Sequence, residues 1–241
     1  MPYRRGFVAM SRTTLTIMQP TGLIRVAGRM VECATANLYR PPMAQQIEQP
    51  RPGLEVIAGA ARNANRGGLP PVHLWNPPYC GDLDMRIGAD GTWFYLKTPI
   101  GRPALVNLFA SVLKREGEKY FLVTPVEKCG IIVEDAPFIA VELRVDRDVR
   151  GQVLHFRTNV DDWVACGPAH GLRFEPERQT GGLKPYLHVR RDLWAKVTRA
   201  LFYDLVELGE ERDVAGQRMF GVVSGQEFFA MAPAESLKDL V

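Results

Sequence analysis

Residues 73–86 read HLWNPPYCGDLDMR, the densest run of side chains in this chain equipped for chemistry. A tryptophan and a tyrosine in a proline-stiffened loop can stack on a flat ligand, and Asn76 beside Trp75 can read that ligand's polar edge. Cys80 followed by Asp82 and Asp84 has the elements of a nucleophile or a cation site. A hard cation needs further oxygen ligands, which no local motif supplies. A reactive thiol needs a base or a helix dipole to lower its pKa, and none is identifiable here. Asp82 and Asp84 alternate about Leu83, which is also the pattern of a strand entering a sheet.

Further along, TPVEKCG (124–130) offers Lys128 as an anion binder at a loop tip, where functional residues concentrate, or as part of a plain charged turn. VEDAPF (133–138) sets Glu134 and Asp135 before a proline turn. Neighbouring carboxylates divide acid and base work only where their environments separate their pKa values. FRTNVDD (156–162) places Arg157, Thr158 and Asn159 at a strand end, suited to phosphate or amide recognition and equally to turn closure. His73, His155, His170 and His188 lack metal-ligand spacing, and the four cysteines are scattered. Neither a GxSxG elbow nor a phosphate loop occurs. No catalytic residue, metal ligand or cofactor is assigned on these grounds.

The 241 residues, 46% of them hydrophobic, supply ample material for one large core or two smaller ones. No apolar run approaches the roughly 20 residues of a membrane span, and the scattered cysteines fit the reduced thiols of a cytoplasmic protein. The net charge of +3 is unevenly held, since residues 1–42 carry six arginines against Glu32 and leave the remainder at −2. That remainder lacks the basic field that nucleic-acid binding requires. Residues 1–45 are expected to be an extension, either disordered or a mis-assigned start with Met43 as the natural beginning. Two units then follow, 46–147 and 148–241, divided at the charged turn DRDVRG (146–151).

An internal echo organises those units. Leu105 to Glu118 followed by Tyr120 to Glu127 recurs 92 residues on as Val197 to Glu210 followed by Phe220 to Glu227. Each passage reads as an amphipathic helix ending at Gly-Glu and feeding a strand that carries a hydroxyl, Thr124 or Ser224. A further helix is expected over 53–65 and a hairpin over 85–98. Strands are expected at 121–126, 129–133, 139–145, 153–159, 162–167, 172–175, 185–190, 220–224 and 228–232. Short turns between strands, with one helix packed on each set, give an α+β class: two repeated units, each a mainly antiparallel sheet with one packed helix.

The blocks PPVHLWNPPYCGDLDMRI, DGTWFYLKTPIGRPALVNLF, YFLVTPVEKCGIIVEDAPF, FRTNVDDWVACGP, PYLHVRRDLWAKVTRALFYDLVELGE and FGVVSGQEFF occur in that order. From about Leu54 to Phe229 the chain closely resembles an uncharacterised bacterial family, carried as a domain of unknown function. The resemblance implies a duplicated α+β core whose C-terminal half is superficially pleckstrin-homology-like. It also implies a small anionic, nucleotide-like ligand at the interdomain surface and a role in signal transduction. Selected by their chemistry, the expected ligand-binding residues are Trp75, Asn76, Arg86, Lys128, Asp135, Asn159 and Arg190. Trp75 would stack on a base, Asn76 and Asn159 would exchange hydrogen bonds, and Lys128 and Arg190 would neutralise phosphate. The leading expectation is a cytoplasmic binding or regulatory protein with no nucleic-acid or membrane partner. The alternatives are a hydrolase or transferase using Asp82, Asp84 or Asp135, and an interaction module that binds a partner strand at a sheet edge.

Overall fold

A computed structural model describes residues 53–64, 68–149, 151–177 and 181–238. The expected extension over 1–45, with its arginines and Cys33, lies outside the described residues. Helix α1 (Leu54–Ala64) opens the described chain. In the first sheet, strand β1 (Tyr79–Ile87) turns through Asp90 and Gly91 into β2 (Trp93–Tyr95) and β3 (Thr98–Pro99). Helix α2 (Pro103–Ser111) then leads into a second meander, β4 (Leu113–Glu116), β5 (Lys119–Val123) and β6 (Lys128–Val133). The order across this sheet is β3-β2-β1-β6-β5-β4. The first strand of one meander thus lies beside the last strand of the other, and this pair alone is parallel.

The second sheet repeats that plan. Strands β7 (Phe138–Asp148), β8 (Gly151–Thr158) and β9 (Trp163–Ala165) form one meander. Strands β10 (Leu172–Pro176), β11 (Leu183–Arg190) and β12 (Leu193–Val197) form the other, with β7 and β12 as the parallel central pair. Helix α3 (Arg199–Glu207) follows, then a separate three-stranded sheet of β13 (Glu210–Val214), β14 (Gln217–Ser224) and β15 (Glu227–Pro233), and a terminal turn of helix, α4 (Glu235–Lys238). The architecture is α+β and mainly antiparallel, with a duplicated six-stranded sheet.

The duplication is one of sheets, β1–β6 against β7–β12, and the sequence echo joins different elements. The first passage folds as α2, β4 and β5, and the second as α3 and most of β14. Helix α2 stops at Ser111, and Gly117 instead sits at φ 61° in the tight turn between β4 and β5. LKRE reads as the end of a helix by composition. As a strand, its backbone groups pair with those of KYFLV, and Gly117 supplies the left-handed conformation that the turn requires. Gly209, by contrast, separates α3 from β13.

One continuous core runs from Ile57 to Met231 through the described residues, all of which fall in a single compact unit. Ile57, Ala58 and Ala61 of α1 and Leu108 and Phe109 of α2 bury one face of the first sheet, where Trp93 stacks on Phe109. Alternate residues of the second sheet (Phe138, Ala140, Leu154, Phe156, Leu187, Leu193, Ala195) face inward under Leu201 and Leu205 of α3. The expected division at 146–151 is instead the β7–β8 hairpin, in which Asp148 pairs with Gly151. The sheets part at residues 134–137, because β6 passes almost directly into β7. Side chains stitch this seam: Arg190 Nη2 donates to the Ala110 carbonyl at 3.0 Å, and Arg191 Nη2 to that of Pro70 at 3.0 Å. No described helix is long and apolar enough to cross a membrane.

Candidate functional site

The expected ligand residues fall into separate places. Arg86 on β1 pairs with Glu134 and lies 4.1 Å over the Phe94 ring. Lys128 opens β6 and reaches Glu116 at 2.9 Å, while Lys114 holds the other oxygen of that carboxylate at 2.9 Å. Bonds from Lys114 and Lys128 hold the Glu116 carboxyl below its ordinary pKa. Lys114 also donates to the Trp75 carbonyl at 3.5 Å, so Trp75 and Lys128 share one network; the Trp75 ring packs on the core and Asn76 is exposed. Asn159 accepts from the Ile139 N–H at 3.0 Å and donates to the Gly91 carbonyl at 3.5 Å, which makes it a tie across the seam. Arg190 pairs with Asp162 and covers Phe138. The seven do not meet in one cleft.

Asp135 occupies the link between the sheets. It accepts the Tyr186 hydroxyl at 2.7 Å and Lys196 Nζ at 3.0 Å. Burial alone would raise this carboxyl, but the bonds from Tyr186 and Lys196 outweigh it and the pKa is lowered. A lowered folded-state pKa contributes stability that is full above the unfolded value, near 4, and is lost as pH falls through the folded value. The unfolding midpoints of the wild type and Asp135→Asn should therefore differ most at neutral pH and converge below about pH 4. A gap unchanged down to about pH 2 would rule out the ionic account.

The two partners of the Asp135–Lys196 pair line different cavities. Asp135 borders a cavity of about 280 Å³ between the sheets, walled by Tyr120, Tyr186 and Trp194. Its cations, Arg115 and Arg173, face four acids: Glu118, Glu134, Asp135 and Glu175. Arg173 lies 4.1 Å over Trp194 and bonds Glu175 at 3.2 Å, and Arg115 pairs with Glu118, so both cations of this acid-rich lining are already engaged. Lys196 borders a larger cavity of about 420 Å³, enclosed by the β10–β11 hairpin, the end of β12 and the first turn of α3. There, among the described residues, Lys184, Lys196 and Arg199 line the space with one acid, Glu177, beside the rings of Phe202 and Tyr203. Lys184 bonds Glu177 at 3.0 Å, whereas Arg199 donates to the Tyr203 hydroxyl at 2.9 Å.

The cationic cavity also sits at a helix end. Thr198 holds the N-cap position of α3 with extended backbone (φ −62°, ψ 155°), but its hydroxyl makes no capping bond. First-turn N–H groups without such a cap carry the positive end of the helix dipole outward.

Family models match the chain in two consecutive pieces: the DUF1285 N-terminal domain of unknown function over residues 70–136, and the C-terminal domain of the same family over 137–231. The crystal structure of a DUF1285 family protein from Silicibacter pomeroyi DSS-3 is 48% identical, with a TM-score of 0.70, and the match covers 77% of this chain and 98% of that one. The chain belongs to the DUF1285 family. A DUF1285 protein from Shewanella baltica OS155 is 30% identical over 52% of this chain and 91% of its own, with a TM-score of 0.42. No curated protein matches the chain. The boundary between the two DUF1285 domains, at 136/137, coincides with the passage from β6 to β7 and not with the hairpin at 146–151.

DUF1285 names no activity, so chemistry must be read from the side chains. Asp82 accepts the Tyr79 hydroxyl at 2.6 Å and lies level with Gly130, while Asp135 lies five residues beyond Gly130. The two border different cavities, Asp82 on the first sheet and Asp135 at the link between the sheets, so they do not face one reacting atom. Among the described residues the carboxylates that shift, Asp90, Glu116, Asp135 and Glu142, all shift downward. General-acid catalysis at neutral pH wants the opposite shift. Burial pushes the Cys129 and Cys166 thiols up to about 12, which suits packing. Among the described residues no three His, Cys, Asp or Glu groups converge as metal ligands. Lys184, Lys196 and Arg199 were not among the expected ligand residues, because Lys184 fell just before the expected strand at 185–190, Lys196 just before the helix beginning at Val197, and Arg199 inside that helix. A signal was present: Thr198 is an N-cap residue type that puts Arg199 in a first turn.

Proposed function

We propose that this DUF1285 protein is a binding or regulatory protein for a small anionic ligand with a flat, nucleotide-like group, held in the cavity at the first turn of α3. The observation that carries the reading is an approximately 420 Å³ space lined by Lys184, Lys196 and Arg199, of which two are held by carboxylates and Arg199 only by the neutral Tyr203 hydroxyl; the volume is within the range of small-molecule sites. Helix N-termini receive anions through free N–H groups and the dipole, and Phe202 and Tyr203 offer ring faces for stacking. The anion chemistry thus favours the flank of the second sheet over the interdomain surface expected from the resemblance. An anion that drew Lys196 away from Asp135 would loosen the link between the sheets, which gives a signalling role a physical route.

The test is thermal denaturation with inorganic phosphate, pyrophosphate and a panel of mononucleotides. At 100 times its Kd a ligand adds about 2.7 kcal/mol, which for a domain of this size raises Tm by roughly 5–11 °C. Arg199→Ala, which removes an exposed side chain from the cavity, should weaken binding by about tenfold or more while leaving the unliganded midpoint nearly unchanged. A panel that shifts nothing, or a shift indifferent to Arg199→Ala, would reject this site.

A further inference from the structure

Cys80 and Cys129 take no part in the cavity chemistry, yet the fold sets them side by side. In the parallel β1–β6 ladder Tyr79 pairs with Lys128 and Asp82 with Gly130, so Cys80 and Gly81 together face Cys129. This two-against-one arrangement is a bulge, and Gly81 takes the positive φ (99°) that such a bend favours. Tyr79 and Asp82 share one face of the sheet, where the hydroxyl of the first bonds the carboxylate of the second at 2.6 Å. Cys80 therefore points to the other face, packed against the core. Cys129 is on that same face, paired with the buried Leu122 and only 1% exposed. Both thiols are free.

We propose that Cys80 and Cys129 form a reversible cross-strand disulfide when the protein meets a hydroperoxide. Paired strands lie about 4.8 Å apart, inside the 4.4–6.8 Å range of Cα separations that a disulfide spans. A bond across adjacent strands departs from relaxed torsions, which makes it readily reduced again. The two thiols divide the work by exposure. Cys80 is half-buried and reachable by the oxidant, whereas Cys129 is enclosed beside it and can meet only the oxidised Cys80 sulfur. The Cys80 sulfur attacks the peroxide, an S–O bond forms, the O–O bond breaks, and with hydrogen peroxide one water leaves. Cys129 then attacks the Cys80 sulfenic sulfur; the S–S bond forms, the S–O bond breaks, and the Cys129 proton departs with hydroxide as a second water. Two electrons pass from two thiols to one peroxide.

The full-length chain, first reduced, is treated with a few-fold excess of hydrogen peroxide, denatured, alkylated and mapped by peptide mass spectrometry. One linked pair containing Cys80 and Cys129, lighter by two hydrogens and restored by dithiothreitol, is the expected result, with Cys166 still alkylated. Cys80→Ser should leave Cys129 unoxidised. Cys129→Ser, if it folds, should let Cys80 advance to sulfinic acid. Wild-type Cys80 that accumulates as sulfinic or sulfonic acid beside an alkylatable Cys129 overturns the proposal. So does Cys80 linked to Cys33, to Cys166 or to a second chain, or Cys80 left unoxidised.

Discussion

Gly221→Ala is expected to destabilise the protein by about 3 kcal/mol, at the upper end of the cost of overpacking a core, and to lower Tm by roughly 6–12 °C. Gly221 lies in β14 at an irregularity in its pairing with β15. A methyl group there would collide with the Phe229 carbonyl oxygen, lie 2.9 Å from the Ala230 Cα and press on the Phe228 ring at 2.7 Å. Two of these three neighbours are backbone atoms of the partner strand, so no rotamer change relieves the clash. The strands must separate or shift register, and a one-residue slip would turn the inward residues outward. Gly101→Ala is the control, because nothing lies within 4 Å of its added carbon; its effect should stay within about 0.5 kcal/mol. Urea denaturation of both variants decides the matter, and equal midpoints would show that β14 and β15 have room the geometry does not reveal.

Ser224→Ala should cost about as much, for a different reason. Cys166 N–H donates to the Leu154 carbonyl at 2.8 Å, as expected in an antiparallel ladder. The return bond is not direct. Leu154 N–H donates to Ser224 Oγ at 2.9 Å, and that hydroxyl donates to the Cys166 carbonyl at 2.7 Å. The serine thus bridges a gap between two strands of the second sheet while belonging to the third, and it is fully buried. Alanine would orphan one backbone donor and one acceptor, each costing about 1–3 kcal/mol, for a total of about 3 kcal/mol. Amide hydrogen exchange gives the sharper readout. The Leu154 amide should lose protection in Ser224→Ala out of proportion to its neighbours in β8, and uniform loss across the strand would point to general unfolding instead.

The contrast between Thr124 and Ser224 shows how far residue patterns carry. Both were legible as hydroxyls on apolar strands. Thr124 satisfies its own turn, accepting from the Glu127 N–H at 3.2 Å, whereas Ser224 works across sheets. Nothing local separates those fates, because the partners of Ser224 lie 58 and 70 residues away. The turns at Asp90-Gly91 and Glu127-Lys128 were readable, whereas the β4–β5 hairpin at Gly117-Glu118 was hidden at the end of an expected helix. Strand β12 was not readable either, since LWAKV runs into LFYDLVEL with apolar residues at helical spacing; its alternation of buried Leu193, Ala195 and Val197 becomes decisive only once β11 and β7 flank it. The Arg191-Asp192 turn before it uses φ values of 46° and 61°, a conformation that Asp tolerates but that Arg191 does not advertise. The ligand residues chosen for their chemistry met partners invisible in the sequence: Asp162 for Arg190, Glu116 for Lys128 and Ile139 for Asn159.

The near-direct passage from β6 to β7 also bears on how the chain is made. Every strand of the first sheet lies between residues 79 and 133, and every strand of the second between 138 and 197. Synthesis runs from the N-terminus at roughly 5–20 residues per second, so the first sheet is complete on the ribosome before any strand of the second emerges. Strand β7 then waits for β12, and Leu154 and Cys166 wait longer still, for the serine that bridges them. For that interval the nascent chain presents a finished sheet followed by an open edge, which makes the stretch between residues 138 and 197 the one where chaperone contact during translation would matter most.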